Sequence, residues 1–94
     1  MSKVYVYKEY CDGYAYGEEI IKVYENKEKA RSQLLERVAA AFYYDGPLSK
    51  ANLSQFLVGE GILGEDDSFT SDYASISCGK GICYWVVEEK ELLG

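Results

Sequence analysis

The chain has 94 residues and an apolar fraction of 48%, which is enough for one domain with a modest core and argues against a disordered chain. It contains no histidine, so the most common general base and zinc ligand are both missing. The net charge is −6, and its whole excess lies in residues 51–94, which argues against direct binding to DNA or RNA. No apolar run is long enough for a membrane span or a secretion signal, so we expect one soluble domain, residues 1–94, in the cytoplasm.

The N-terminal part of the chain has the pattern of a β-hairpin. In residues 3–10 valines alternate with tyrosines, which is the period-two pattern of a strand. Turn residues follow at 11–13, and residues 18–25 predict a returning strand that places Ile21 and Val23 on one face.

Two helices are predicted after the hairpin. Residues 26–44 carry one wide apolar stripe, with Asn26 as N-cap, while a left-handed Gly46 and the following Pro47 end the helix. The stripe consists of Ala30, Leu34, Leu35, Val38, Ala39, Ala41 and Phe42. A shorter helix is predicted from its cap Ser49 to about residue 58. Its expected buried residues are Leu53, Phe56 and Leu57.

The C-terminal part predicts a second hairpin. A strand builds up from residue 68 to residue 78, and a turn at 79–81 leads into a strand over residues 82–88. This last strand is apolar on both faces, so we expect it at the centre of the sheet beside the first strand. The predicted fold is α+β, in the order ββ-α-α-ββ, with a four-stranded antiparallel sheet and both helices packed on one face. The expected core beneath the first helix is Leu34, Val38, Phe42 and Trp85.

The three cysteines, Cys11, Cys78 and Cys83, are too few for a disulfide scaffold and one short of a four-cysteine zinc site. We expect reduced thiols, no bound metal and no cofactor. A disulfide between Cys78 and Cys83 across the second hairpin is the alternative.

Tyrosine is unusually frequent, with ten residues, and several of them crowd the first hairpin. Tyrosine is enriched at protein interfaces because it combines a large contact area with few rotamers and a polar tip. The tyrosines expected to bind a partner are Tyr5, Tyr7, Tyr14 and Tyr16. The alternative is that they form cross-strand pairs that stiffen the sheet.

An acidic stretch follows the second helix and supplies the other expected contact residues. They are Glu60, Glu65, Asp66, Asp67 and Asp72. The stretch lacks the glycine that a calcium-binding loop requires at its sixth position. Its carboxylates either mimic phosphates in a basic groove of another protein or form a solvated loop. Enzymatic motifs are few. Without histidine, a nucleophilic cysteine lacks its usual base, and the neighbouring Glu88 and Glu89 lie on opposite faces of a strand, so they cannot share one substrate. We therefore expect no enzyme.

The order of two strands, an Asn-capped helix entered as YENKEKA and a closing hairpin ending in YWVVEEKELL resembles small orphan proteins of bacteriophages and mobile elements. That group includes anti-CRISPR and antirestriction proteins. The resemblance implies a small, acidic, non-enzymatic inhibitor that blocks a basic nucleic-acid groove or a moving domain of a bacterial immune enzyme. Its partner would be a protein with a basic surface, such as a CRISPR effector. The alternatives are an interaction module that forms a homodimer through an exposed strand edge, and an unrecognised enzyme or metal-binding regulator.

Overall fold

The structure is a computed structural model that describes residues 2–12, 19–78 and 81–92. In these residues the chain forms a five-stranded antiparallel sheet and two helices, which confirms the α+β class. The elements in chain order are β1 (Ser2–Asp12), β2 (Ile20–Tyr24), α1 (Lys27–Ala41), α2 (Lys50–Gly59), β3 (Ser68–Phe69), β4 (Tyr73–Cys78) and β5 (Gly81–Leu92).

The predicted number of four strands is one too few. The segment expected to be a single strand from residue 68 to residue 78 divides into β3 and β4, which form a short hairpin of their own. The backbone reverses between them because the backbone N–H of Thr70 donates to the carbonyl of Tyr73 at 2.7 Å. A two-residue strand is too short to produce a readable alternation, so the sequence pattern merged it with its neighbour.

The strands are ordered β2-β1-β5-β4-β3, with β5 at the centre and β1 beside it. This confirms the predicted central position of the first and last strands. The two strands pair along nearly their whole length, from Ser2 opposite Leu92 to Asp12 opposite Ile82. The remaining strands are shorter and complete the sheet on either side of this long pair.

Helix α1 begins at its predicted cap, since the side chain of Asn26 accepts a hydrogen bond from the backbone N–H of Glu28 at 2.8 Å. Its buried residues are Ala30, Leu34, Val38 and Ala39. Ala41, which was expected in the stripe, is the last residue of the helix and is exposed.

The end of α1 differs from the prediction. Tyr43, with φ +57°, takes the left-handed conformation that was expected at Gly46. Gly46 is required for a different reason, since a Cβ atom at that position would lie 2.6 Å from the Tyr44 hydroxyl oxygen. The chain turns tightly there, and the Tyr44 hydroxyl donates to the carbonyl of Pro47 at 2.7 Å.

Helix α2 matches its prediction closely. The hydroxyl of its cap Ser49 accepts from the backbone N–H of Asn52 at 3.1 Å. Leu53 and Leu57 are fully buried and Phe56 is half-buried, as the pattern indicated. After the helix, Gly61 has φ +71°, a conformation that favours glycine.

Both helices contribute to one core with a single face of the sheet, which we call the covered face. The largest fully buried side chains are Tyr7, Leu34, Val38, Leu53, Leu57 and Ile76. The predicted cluster beneath α1 is largely confirmed: Leu34, Val38 and Trp85 are buried, and the half-buried ring of Phe42 lies 6.0 Å from the Trp85 ring.

Candidate protein-interaction surface

We call the other face of the sheet the open face. The register of the strands shows which residues belong to it. Residues that alternate with the buried ones along each strand must point away from the helices. They are Val4, Val6, Lys8 and Tyr10 of β1, Ile21 and Val23 of β2, Tyr73, Ser75 and Ser77 of β4, and Ile82, Tyr84, Val86, Glu88, Lys90 and Leu92 of β5. None of these described side chains belongs to the core cluster.

The open face is rich in exposed apolar side chains. In the described part of the chain, six of the nine large apolar residues that are exposed lie on it. They are Tyr10, Ile21, Val23, Tyr73, Ile82 and Leu92. The remaining three, Tyr43, Leu48 and Val58, lie on or beside the helices. Exposed apolar side chains grouped on one face of a small protein are typical of surfaces that bind another molecule.

Aromatic packing stiffens the middle of the open face. Tyr10 and Tyr84 lie opposite each other on β1 and β5, and their rings stack with centroids 4.8 Å apart and planes 21° apart. The rings therefore form a flat, ordered platform between the two central strands. Such pre-ordered aromatic side chains lose little entropy when a partner covers them.

One cluster of charges interrupts the apolar residues of the open face. Glu88 accepts from both lysines beside it, with Lys8 at 3.2 Å and Lys90 at 3.4 Å. The hydrogen bond from Lys8, followed by its charge, holds the pKa of Glu88 below its usual value against the effect of burial. Glu88 is shared by the two lysines, so this cluster keeps one unit of positive charge in excess.

The two edges of the sheet are acidic. Glu19 and Glu25 flank the edge strand β2, and Glu65 and Asp66 lie in the turn before the edge strand β3. All four are exposed, and none forms an ion pair within the described residues. We refer to these four carboxylates as the acidic rim.

The structure places the predicted tyrosines differently from the prediction. Tyr7 is fully buried and Tyr5 is half-buried on the covered face. The expectation that Tyr7 contacts a partner is wrong, because the alternation along β1 identifies two faces without saying which one the helices cover. Tyr14 and Tyr16 lie outside the described residues. The tyrosines of the open face are Tyr10, Tyr73 and Tyr84, and the two-sided apolar pattern of β5 was the signal for Tyr84.

Two of the predicted acidic contact residues are used inside the fold. Asp72 forms a paired interaction with Arg31, whose Nε donates to Oδ1 at 2.6 Å and whose Nη2 donates to Oδ2 at 3.2 Å. The hydrogen bond from Arg31 lowers the pKa of Asp72 despite partial burial. Asp67 accepts from the backbone N–H of Gly64 at 2.8 Å and of Ser77 at 3.1 Å.

The acidic stretch is therefore not a single unpaired cluster. Glu60, Glu65 and Asp66 are exposed, and their side chains form no hydrogen bond or ion pair among the residues that the structure describes. Of the five carboxylates expected to contact a partner, these three remain without an internal role.

Sequence patterns gave no sign of a polar network beneath α1. Arg37 holds Glu9 through two hydrogen bonds of 2.8 Å each, and the Tyr7 hydroxyl donates to Glu9 Oε1 at 2.6 Å. Burial favours the neutral form of Glu9, but the hydrogen bonds from Arg37 and Tyr7 outweigh it and lower the pKa of Glu9. Burial and the bond to Glu9 raise the pKa of Tyr7. The groups satisfy one another, and the network joins α1 to β1.

The described residues contain no group of three or more cysteine, aspartate or glutamate side chains placed to hold a metal ion. A cleft of about 310 Å³ between the end of β2 and α1 includes Asn26, whose side-chain oxygen is already used to cap the helix. No described helix has the length and apolar character needed to cross a membrane.

Comparison of the chain with protein-family models, with curated proteins and with solved structures finds no match.

Proposed function

We propose that this chain is a non-enzymatic protein-binding domain that docks onto another protein through the open face of its sheet. The observation that carries the proposal is the concentration of exposed apolar side chains on that face, around the stacked rings of Tyr10 and Tyr84. An apolar centre containing aromatic residues and surrounded by a polar rim is the usual anatomy of a protein interface.

The charges of the acidic rim determine which partner fits. A partner with an apolar patch bordered by lysine and arginine side chains would meet the four exposed carboxylates of the acidic rim at close range. A second copy of this chain, packed face to face, would instead bring a second acidic rim against the first. Because such like charges repel, the open face favours a different, basic protein over a homodimer.

Basic surfaces of this kind are typical of enzymes that bind nucleic acid. Together with the resemblance to phage and mobile-element inhibitors, this leads us to propose a bacterial nucleic-acid-targeting immune enzyme, such as a CRISPR effector, as the partner. In this proposal the chain acts in the cytoplasm and covers a basic groove or a moving domain. It inhibits by occupying the surface, without any chemistry of its own.

The test uses two valines that are almost equally exposed. Val23 on the open face is 62% exposed and Val58 on α2 is 61% exposed. A partner is first captured on the immobilised chain from bacteria that carry a CRISPR system, and its kinetics are then measured with each variant. We expect V23S to raise the off-rate about tenfold, in the range of a modest interface contact, and V58S to leave it unchanged. Equal binding by both variants would overturn the open face as the docking surface.

A second arm of the experiment tests the charges. The double variant Glu65→Gln, Asp66→Asn should lower the on-rate and flatten its salt dependence, because long-range attraction is screened as salt rises. The off-rate should change little. An on-rate equal to that of the unmodified chain at both low and high salt would mean that the acidic rim does not contribute to binding. The proposal of a partner with a basic surface would then be rejected.

A further inference from the structure

The two central strands bring a pair of cysteines together that the sequence does not pair. Cys11 lies directly opposite Cys83 in the register of β1 and β5, although 72 positions separate them along the chain. The Sγ atoms of Cys11 and Cys83 lie 2.6 Å apart. Both residues are present as thiols.

The register also explains why Cys78 is the wrong partner for Cys83. On the β4 side, Cys83 lies opposite Ile76, whereas Cys78 lies opposite Gly81. Cys78 and Cys83 are therefore diagonal neighbours, and such pairs have Cα atoms about 7–8 Å apart, at or beyond the span of a disulfide. Directly opposite residues, at about 4.5–5.5 Å, fall within that span.

We propose that Cys11 and Cys83 form a site of covalent oxidation, at which a small disulfide such as oxidised glutathione converts the two thiols into a disulfide between the central strands. This departs from the sequence-based alternative, which paired Cys78 with Cys83. It is independent of the docking surface, since both sulfur atoms lie on the covered side of the sheet.

The difference in exposure assigns the order of the two steps. Cys11 is half-buried, so its thiolate is the one that an incoming disulfide reaches. It attacks one sulfur of oxidised glutathione, which forms a mixed disulfide and releases one molecule of glutathione. The buried Cys83 thiolate then attacks Cys11 Sγ and releases the second glutathione. Two thiols lose two protons and two electrons, and one oxidised glutathione becomes two reduced ones.

A disulfide between Cys11 and Cys83 would close a long loop, so the oxidised form should have a higher melting temperature. Cross-linking residues far apart in the chain restricts the unfolded state, and for a domain of this size we expect the melting temperature to rise by on the order of 10 °C. The cross-link also lies one residue from the Tyr10–Tyr84 pair, so it would fix the two central strands beneath the open face.

The test compares the unmodified chain with two conservative variants, each treated with oxidised glutathione or with dithiothreitol. C78S keeps the proposed pair, whereas C11S leaves Cys78 and Cys83 as the remaining thiols. Disulfides are mapped by mass spectrometry of peptides after the open thiols have been alkylated. We expect a Cys11–Cys83 link and a higher melting temperature in the unmodified chain and in C78S, and neither in C11S.

Two outcomes would overturn the proposal. One is a Cys78–Cys83 link in the unmodified chain. The other is a glutathione adduct that persists on Cys11 without conversion to an internal disulfide. The peptide map of the unmodified chain decides between these outcomes on its own, even if a variant folds poorly.

Discussion

The two faces of the sheet are built from the same long strands, yet they differ completely in their surroundings. On the covered face Tyr7 is fully buried and its hydroxyl is held by Glu9. On the open face Val23, a more apolar residue, is 62% exposed. Burial in this fold is therefore decided by where the helices lie, and the apolar residues left outside them need another explanation. In our proposal, a docking partner that covers the open face supplies it.

The largest expected difference concerns the same substitution made in the core that the covered face shares with α1 and on the open face. L34A should lower the free energy of unfolding by about 2–5 kcal/mol, because it leaves a cavity beneath α1. L92A, on the open face, should change it by less than about 0.5 kcal/mol. Urea unfolding measures both values. Similar losses of unfolding free energy in the two variants would mean that the open face is also part of the core. That result would contradict the difference between the two faces.

The network beneath α1 should show the next largest effect. E9A removes an acceptor that Arg37 and Tyr7 both use, and hydrogen bonds to charged groups of this kind contribute about 1.5–3 kcal/mol. E91A, at an exposed glutamate that forms no ion pair within the described residues, is the matched control and should be neutral. A value for E9A as small as that for E91A would show that the network does not stabilise the fold.

The same network predicts a dependence on pH. The pKa of Glu9 is lowered in the folded state, so its contribution is fully present above the usual value of 4.5 and is lost as the pH falls through the lowered pKa. Stability measured from pH 7 to pH 3 should therefore decline below about pH 4.5, and the decline should be shallower in E9Q. A parallel decline in both proteins would assign the acid sensitivity to other carboxylates.

A smaller effect separates the two kinds of carboxylate in the acidic stretch. D72N breaks the paired interaction with Arg31 and should cost up to about 1 kcal/mol, as partly exposed ion pairs do. D66N removes a charge without an internal partner and should leave stability unchanged. If D72N also leaves the stability unchanged, Asp72 returns to the set of carboxylates that are available to contact a partner.

Much of the fold was readable from local patterns, because its signals are local. The caps Asn26 and Ser49 and the two-sided apolar pattern of β5 predicted both helices and the central strand. The contacts that hold these elements together join residues far apart in the chain, as Arg37 and Glu9 do, and such contacts leave no periodic trace.

The candidate site was less predictable than the fold. Choosing Tyr10 rather than Tyr7 as a contact residue would have required knowledge of which face the helices cover. An alternating strand gives two equivalent faces, and a shift of one residue exchanges them. Exposed carboxylates pose the same difficulty, since the partnership of Asp72 with Arg31 depends on how α1 crosses the sheet.

The most direct test of the open face is covalent labelling of tyrosine side chains in the unmodified chain, with and without its captured partner. Tyr10 and Tyr73 lie on the open face, whereas Tyr43, which is 92% exposed, follows the end of α1. If the open face docks the partner, binding should strongly reduce labelling of Tyr10 and Tyr73 and leave Tyr43 as reactive as before. Protection of Tyr43 with unchanged labelling of Tyr10 and Tyr73 would contradict the account.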